Sequence, residues 1–337
     1  MSAVPDGVFA AVEYPTGRAE RDRFVLARRG SRHAVDPWAT PRVAIDPEPD
    51  GAGGVVDAVT LFLTGRECPW RCVMCDLWRD TLETDTPPGA IPHQIAAGLR
   101  LVPSNARRHV KLYNAGSFFD DRAVPPADDA AIAQVVAGVS RLTVESHPRL
   151  VGDRTWRFRD RLSASLDVAM GLETAHPDAL ARLNKGCTLD DFATAARALV
   201  AHGVGLRVFL LVHPPFVPQA EQMPWLLRSI DTAIEAGAST IALIPTRGET
   251  GAMPALAAAG LFAPPSLSAL EDAAAEAIHH AAGRARILAD LWDLAAFAAC
   301  AACLAARQAR LLRLNLEQRV PAPTACACCV ARGQEPG

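Results

Sequence analysis

Six apolar, β-rich runs, each followed by a helical pattern, constrain the fold of this chain more than any other feature. VVDAVTLFLT, HVKLYNAG, RLTVE, DVAMGLE, GLRVFLLVH and STIALIP begin near Val55, His109, Arg141, Asp167, Gly205 and Ser239. Near-continuous apolar runs suit strands covered on both faces, as in a parallel sheet. Between them lie AAIAQVVAGV, LDDFATAARALVAHG and WLLRSIDTAIEAG. Thr188 followed by Asp191 reads as a helix start, and Gly203 and Gly237 read as stops. Strand–helix units in succession connect with one hand, which predicts a curved sheet or partial barrel.

Several common chemistries are missing from this frame. No GxGxxG follows the first strand, and neither a Walker loop nor a GxSxG elbow occurs. The 34 basic and 37 acidic residues leave a net charge of −3, so no global basic field gathers nucleic acid or acidic lipid. The longest apolar run, Leu294 to Ala306, is too short and alanine-rich to span a bilayer. The start lacks a basic region and carries Asp6 and Glu13, unlike a secretory signal. No membrane association and a cytoplasmic location are expected. The first fifty residues, rich in proline and charge with Arg28, Arg29 and Arg32 close together, read as a solvated arm, with packing of part of it on the main domain as the alternative.

Nine cysteines are grouped as Cys68, Cys72 and Cys75, then Cys187, then Cys300, Cys303, Cys326, Cys328 and Cys329. An odd count in tight clusters disfavours a disulfide framework and favours metal ligation. LTGRECPWRCVMCDLW places Cys68-x3-Cys72-x2-Cys75 just after the first expected strand. Three thiolates on one short loop can hold three irons of a [4Fe-4S] cluster and leave the fourth iron open. The C-terminal mouth of a parallel sheet is where sites usually form.

This CxxxCxxC loop after a first strand resembles the radical S-adenosylmethionine superfamily. The resemblance implies that S-adenosylmethionine chelates the open iron and is cleaved reductively to a 5′-deoxyadenosyl radical. It also implies an electron donor of the flavodoxin or ferredoxin type. The position before the last cysteine, here Met74, would pack on the adenine. YNAGSFFD resembles the family element that meets the methionyl amine, giving Gly116, Ser117 and Phe118 as cofactor contacts. VESHPR resembles a segment of the elongator-type branch and adds Glu145 and Ser146; an ion pair of Glu145 with Arg149 is the alternative. GLETAHPDALARLNKGCT is similar to the fourth-strand segment of that branch, where Glu173 and Lys185 would reach the ribose or the carboxylate. Arg207, a charge on the fifth expected strand, is a further carboxylate clamp or else an internal ion pair. YNAGSFFD, GLET, LNKG and VHPPF look most like the part of the branch that acts on a modified guanine of transfer RNA. Transfer RNA or a partner enzyme would then be its partners. Arg247 and Glu249, in the loop after the sixth strand, are substrate candidates.

Cys300-x2-Cys303 and Cys326-x2-Cys329 form two CxxC knuckles, a spacing suited to structural zinc, with an auxiliary iron–sulfur cluster as the alternative. Cys328 competes with Cys329 as the fourth ligand, and Cys187 reads as inert. Arg154, Arg157, Arg159, Arg161, Arg307, Arg310, Arg313 and Arg319 are candidate RNA phosphate contacts. The expected architecture is α/β, a partial (β/α)6 TIM-type barrel with an N-terminal extension and a small cysteine-rich C-terminal module. Its boundaries fall at 1–54, 55–285 and 286–337. The expected function is radical S-adenosylmethionine chemistry; a non-catalytic iron–sulfur or zinc-binding module for RNA or protein is the rival.

Overall fold

The computed structural model describes residues 13–331. Eight strands pair in chain order: β1 (Arg42–Pro49), β2 (Val55–Leu63), β3 (His109–Asn114), β4 (Arg141–Glu145), β5 (Ser165–Glu173), β6 (Gly205–Val212), β7 (Thr240–Pro245) and β8 (Arg286–Ala289). β1 runs antiparallel to β2, and every later pair is parallel. All six expected strands are present, but the expected count of six is corrected by β1 and β8. β1 hides in the sequence because Pro47 and Pro49 interrupt it, which an edge strand tolerates. β8 is only four residues long.

Helices α1 (Arg18–Leu26), α2 (Ala90–Arg100), α3 (Asp129–Val135), α4 (Asp153–Arg161), α5 (Pro177–Arg182), α6 (Leu189–Ala201), α7 (Gln222–Glu235), α8 (Met253–Ala258), α9 (Leu267–Ala281), α10 (Leu304–Glu317) and α11 (Ala327–Ala331) complete the fold. Thr188 and Asp191 make a capping box at the start of α6, while Gly203 and Gly237 end α6 and α7 with positive φ. The main core joins outward strand residues such as Leu61, Leu112 and Val144 to helix residues such as Ile95, Ile132 and Phe192. None of the helices among the described residues is long and apolar enough to cross a membrane.

The sheet is curled into a half-barrel. Glu48 on β1 bonds Lys111 on β3 at 2.6 Å and Arg207 on β6 at 2.9 Å. Five strand spacings of ~4.8 Å would separate β1 from β6 by about 24 Å in a flat sheet. Tyr113 of β3 likewise meets Phe209 of β6, ring centroids 6.0 Å apart, across the concave face. Arg207 therefore sits in an internal ion pair with Glu48.

The open side of the half-barrel lies between its edge strands, and α10 packs against both β1 and β8. Gln318 accepts from the Ile287 amide and donates to its carbonyl, both at 2.8 Å. Asn315 does the same for Ala289, at 2.7 and 2.9 Å. These side-chain amides satisfy a sheet edge that would otherwise invite pairing with another chain. Helix α10, which separates the two cysteine pairs, thus closes the barrel edge.

The described part of the N-terminal segment is no solvated arm. Arg29 and Arg32 both pair with Glu67, the residue before Cys68, and Arg32 also donates to Trp78 O at 2.6 Å. Tyr14, Phe24 and Val25 are buried with Val73, Leu183 and Leu211 in a second core over the barrel mouth.

Candidate functional site

The three-cysteine loop leaves the C-terminal end of β2 and is fastened to the loop between α5 and α6. The Val73 amide donates to Leu183 O at 3.0 Å, and Asn184 Nδ2 donates to Arg71 O at 2.9 Å. The Trp70 indole stacks on the His147 imidazole. Gly186, at φ +74°, lies so close to Trp70 that a Cβ there would come within 2.5 Å of the indole. Only glycine combines that left-handed backbone with that approach. Glu67 gathers Arg29, Arg32 and Arg71; burial would raise its pKa, but these ion pairs hold it below the usual carboxylate range.

Cys68, Cys72 and Cys75 are free thiols on this fixed loop. Burial pushes Cys68 up to about 11 and Cys72 and Cys75 up to about 12. Cations oppose that rise at Cys72, where the nearby Lys185 ammonium favours the thiolate. Lys185 is itself held by Glu173 at 2.8 Å, and burial of the ammonium is more than offset by that carboxylate, so its pKa is raised. Glu173 occupies left-handed backbone, φ 66°, at a register shift in the β5–β6 pairing.

At the ends of β3 and β4, burial raises the Glu145 carboxyl to about 8, despite a bond from the Asn114 backbone N–H at 3.1 Å. Arg149 does not take Glu145; it faces Asp191 and donates to Gly186 O. Gly116 packs against the cysteine loop, where a Cβ would meet Arg66 O at 2.9 Å. Ser117 and Ser146 bond to each other at 3.2 Å, and Ser117 also accepts from the His147 amide, so both hydroxyls tie loops together. The Phe118 ring is buried against Phe119 and Phe158, and its amide donates to Glu145 O. Met74 is half-buried beside the second core, within the cysteine loop.

Asn114 is a residue that motif reading missed. It is 5% exposed at the end of β3, and both its Oδ1 and Nδ2 lack a partner. A buried amide without partners is costly and points to a ligand. Its place as the last residue of an apolar strand, inside YNAGSFFD, was the available signal. Lys185 and Glu173 lie within electrostatic reach of Cys72, and three thiols with a buried unpaired amide at the strand ends suit an open-iron cluster and a charged, amine- and carboxylate-bearing cofactor.

Other candidates are tied elsewhere. Arg247 donates to Trp292 O at 2.9 Å, and Glu249 is exposed. Among the arginines expected at RNA, Arg307 and Arg310 are buried on Glu271, and Arg154 is held by Asp129 and Asp121. Arg157, Arg161, Arg313 and Arg319 remain exposed. Cys187 is buried. Cys300, Cys303, Cys326 and Cys329 converge as a second, separate group whose sulfurs all lie within 4.8 Å of one another.

No family profile matches the chain. It is 29% identical over 188 residues to archaeosine synthase subunit beta of Methanosarcina acetivorans, covering 52% of this chain and 54% of that protein. The corresponding Thermococcus kodakarensis subunit is 30% identical over 118 residues, covering 33% and 36%. The matches thus span about half the length of the first relative and about a third of the second. Among solved structures, methylornithine synthase aligns with a TM-score of 0.53 at 14% identity, covering 90% of this chain and 75% of that one. Streptococcus suis SuiB, bound to its precursor peptide, aligns at 0.50 and 14%, covering 68% and 48%. The likeness to these two solved structures is one of fold, and the likeness in sequence is to the archaeosine synthase subunits.

Proposed function

We propose that the chain is a radical S-adenosylmethionine enzyme that holds a [4Fe-4S] cluster on Cys68, Cys72 and Cys75. When bound, the cluster and cofactor supply reductive cleavage of the sulfonium to a 5′-deoxyadenosyl radical. The observation that carries this reading is the three-cysteine loop pinned at the mouth of a half-barrel, beside a buried Asn114 amide without partners. The other residues have definable tasks. Lys185 favours thiolate at Cys72, with Glu173 holding the ammonium in place. Asn114 offers both a donor and an acceptor to the amino-acid end of the cofactor, and Glu145 offers a carboxyl that keeps its proton to about pH 8. Gly116 permits close backbone approach, and Met74 is placed to pack on the adenine.

The relation to archaeosine synthase subunits favours a modified guanine of transfer RNA as substrate, a partner enzyme, and a flavodoxin- or ferredoxin-like electron donor. Nine free thiols suit a reducing cytoplasm. The test is anaerobic reconstitution with iron and sulfide, then dithionite and S-adenosylmethionine, with 5′-deoxyadenosine as the readout. Production that disappears in Cys72→Ala, together with cubane assembly, supports the reading. Fully iron-loaded wild type that yields none overturns it.

A further inference from the structure

The geometry points to a mononuclear, zinc-type ion held by Cys300, Cys303, Cys326 and Cys329, which clamps α10 across the open side of the half-barrel. The sulfurs of Cys303 and Cys329 lie 3.7 Å apart, those of Cys300 and Cys326 3.9 Å apart, and all four fall within 4.8 Å of one another. Four points so confined share a centre no more than about 2.9 Å from each, close enough for a single ion to draw all four in to a Zn–S distance of ~2.3 Å. Tetrahedral zinc with Zn–S bonds of ~2.3 Å sets its sulfurs about 3.8 Å apart. A four-iron cube instead puts each thiolate on a different corner and spreads the sulfurs beyond one shell. The Cys328 side chain is exposed and stands outside the group, which settles the choice between it and Cys329. Four thiolates on a dication leave two negative charges, and the buried Arg307 beside Cys303 offsets part of them.

The position of this site says what the ion does. Cys303 is the residue before α10, while Cys326 and Cys329 lie on the returning chain. Arg310 donates to Pro321 O and Ala322 O of that return, and Arg307 and Arg310 grip the fully buried Glu271 of α9. One turn or more further along, Asn315 and Gln318 cover the edge of β8. A soft, redox-inert ion at the head of α10 therefore holds the helix that shields β8.

The test uses the full-length chain carrying Cys68→Ala, Cys72→Ala and Cys75→Ala, so its outcome is independent of any radical chemistry at the mouth. Mass spectrometry should find about one zinc per chain, and cobalt(II) exchange should give the visible bands of a tetrahedral thiolate site. Cys328→Ser should retain the metal, and Cys303→His, which keeps a ligand, should retain it too, whereas Cys329→Ser should lose it. Iron–sulfide treatment that loads about four irons per chain into this background would overturn the assignment, as would metal loss in Cys328→Ser. Chelation should speed amide exchange at Ile287 and Ala289 at least tenfold while leaving Leu112 and Leu142 protected. Unchanged exchange at β8 would defeat the clamp.

Discussion

The imidazole of His147 lies flat on the indole of Trp70, ring centroids 3.5 Å apart and planes 10° from parallel. Trp70 belongs to the cysteine loop, while His147 Nε2 donates to Lys185 O at 3.1 Å and its Nδ1 accepts from the Arg149 amide. One ring thus couples the loop after β2 to the loop after β4 and to the loop between α5 and α6. Burial lowers the His147 pKa to about 3, so the stacked ring is neutral.

His147→Ala should cost about 1–3 kcal/mol through the lost stack and the orphaned loop carbonyl. It should also release cluster iron to a chelator several-fold faster than wild type. His147→Phe restores the stack alone and should recover part of both losses. The folded ring resists protonation that the unfolded ring accepts, so its stabilisation is present above about pH 6.5 and lost as pH falls toward 3. Iron retention identical in His147→Ala and wild type would count against this coupling.

Glu48 is the buried counter-ion of both Lys111 and Arg207. Burial would raise its pKa, but the two cations win and hold it far below the ordinary range. Glu48→Ala leaves two buried cations without their partner and should cost about 3–5 kcal/mol. The wild-type carboxylate contributes stability above its unfolded pKa and loses it as pH falls through the folded one, so the difference in melting temperature should shrink in acid. Arg207→Ala should destabilise the fold yet leave the S-adenosylmethionine affinity of the folded protein unchanged. A tenfold weaker affinity would return Arg207 to the cofactor.

These pairs mark where sequence reading stopped. β2 to β7 were legible because each is an apolar run long enough to stand out, and the three-cysteine loop because its spacing is local. β1 was not, since its prolines resemble a linker, nor was β8, whose edge is satisfied by Asn315 and Gln318 from a later helix. Arg207 signalled that a buried charge needs a partner, but Glu48 lies 159 residues away and only the curl of the sheet joins them. The arginines of the N-terminal segment read as solvated for the same reason, because Glu67 comes to Arg29 and Arg32 through folding.

Glu145 gives a pH prediction of opposite sign to Glu48. Burial raises its carboxyl to about 8, with Asn114, Lys185 and Arg207 opposing that rise. The neutral group is no burden at pH 4, where the unfolded carboxyl is also protonated. As pH rises from about 4.5 to about 8 the unfolded carboxyl loses its proton while the folded one keeps it, and the wild type loses stability, up to about 5 kcal/mol by linkage. Glu145→Gln carries no such proton, so its melting temperature relative to wild type should climb between about pH 5 and 8 and level off above that. Parallel pH profiles would mean that Glu145 is ionised throughout.

Asn114 offers the sharpest separation of function from stability. Its amide is buried at the end of β3 with neither Oδ1 nor Nδ2 paired, and each such atom costs about 1–3 kcal/mol in a folded protein. A residue kept only for packing would be destabilising to remove, whereas one kept for a ligand should be neutral or stabilising to remove from the free protein. Asn114→Leu fills the same volume without polar atoms and should hold or raise the melting temperature. Its iron content should match wild type, because no cysteine is touched. Its affinity for S-adenosylmethionine should fall roughly tenfold to a hundredfold, about 1.4–2.8 kcal/mol, as two hydrogen bonds to the cofactor are lost. Titration of the cofactor into reconstituted wild type and variant decides the matter: equal affinities would remove Asn114 from the site and leave its unpaired amide as a cost without a return.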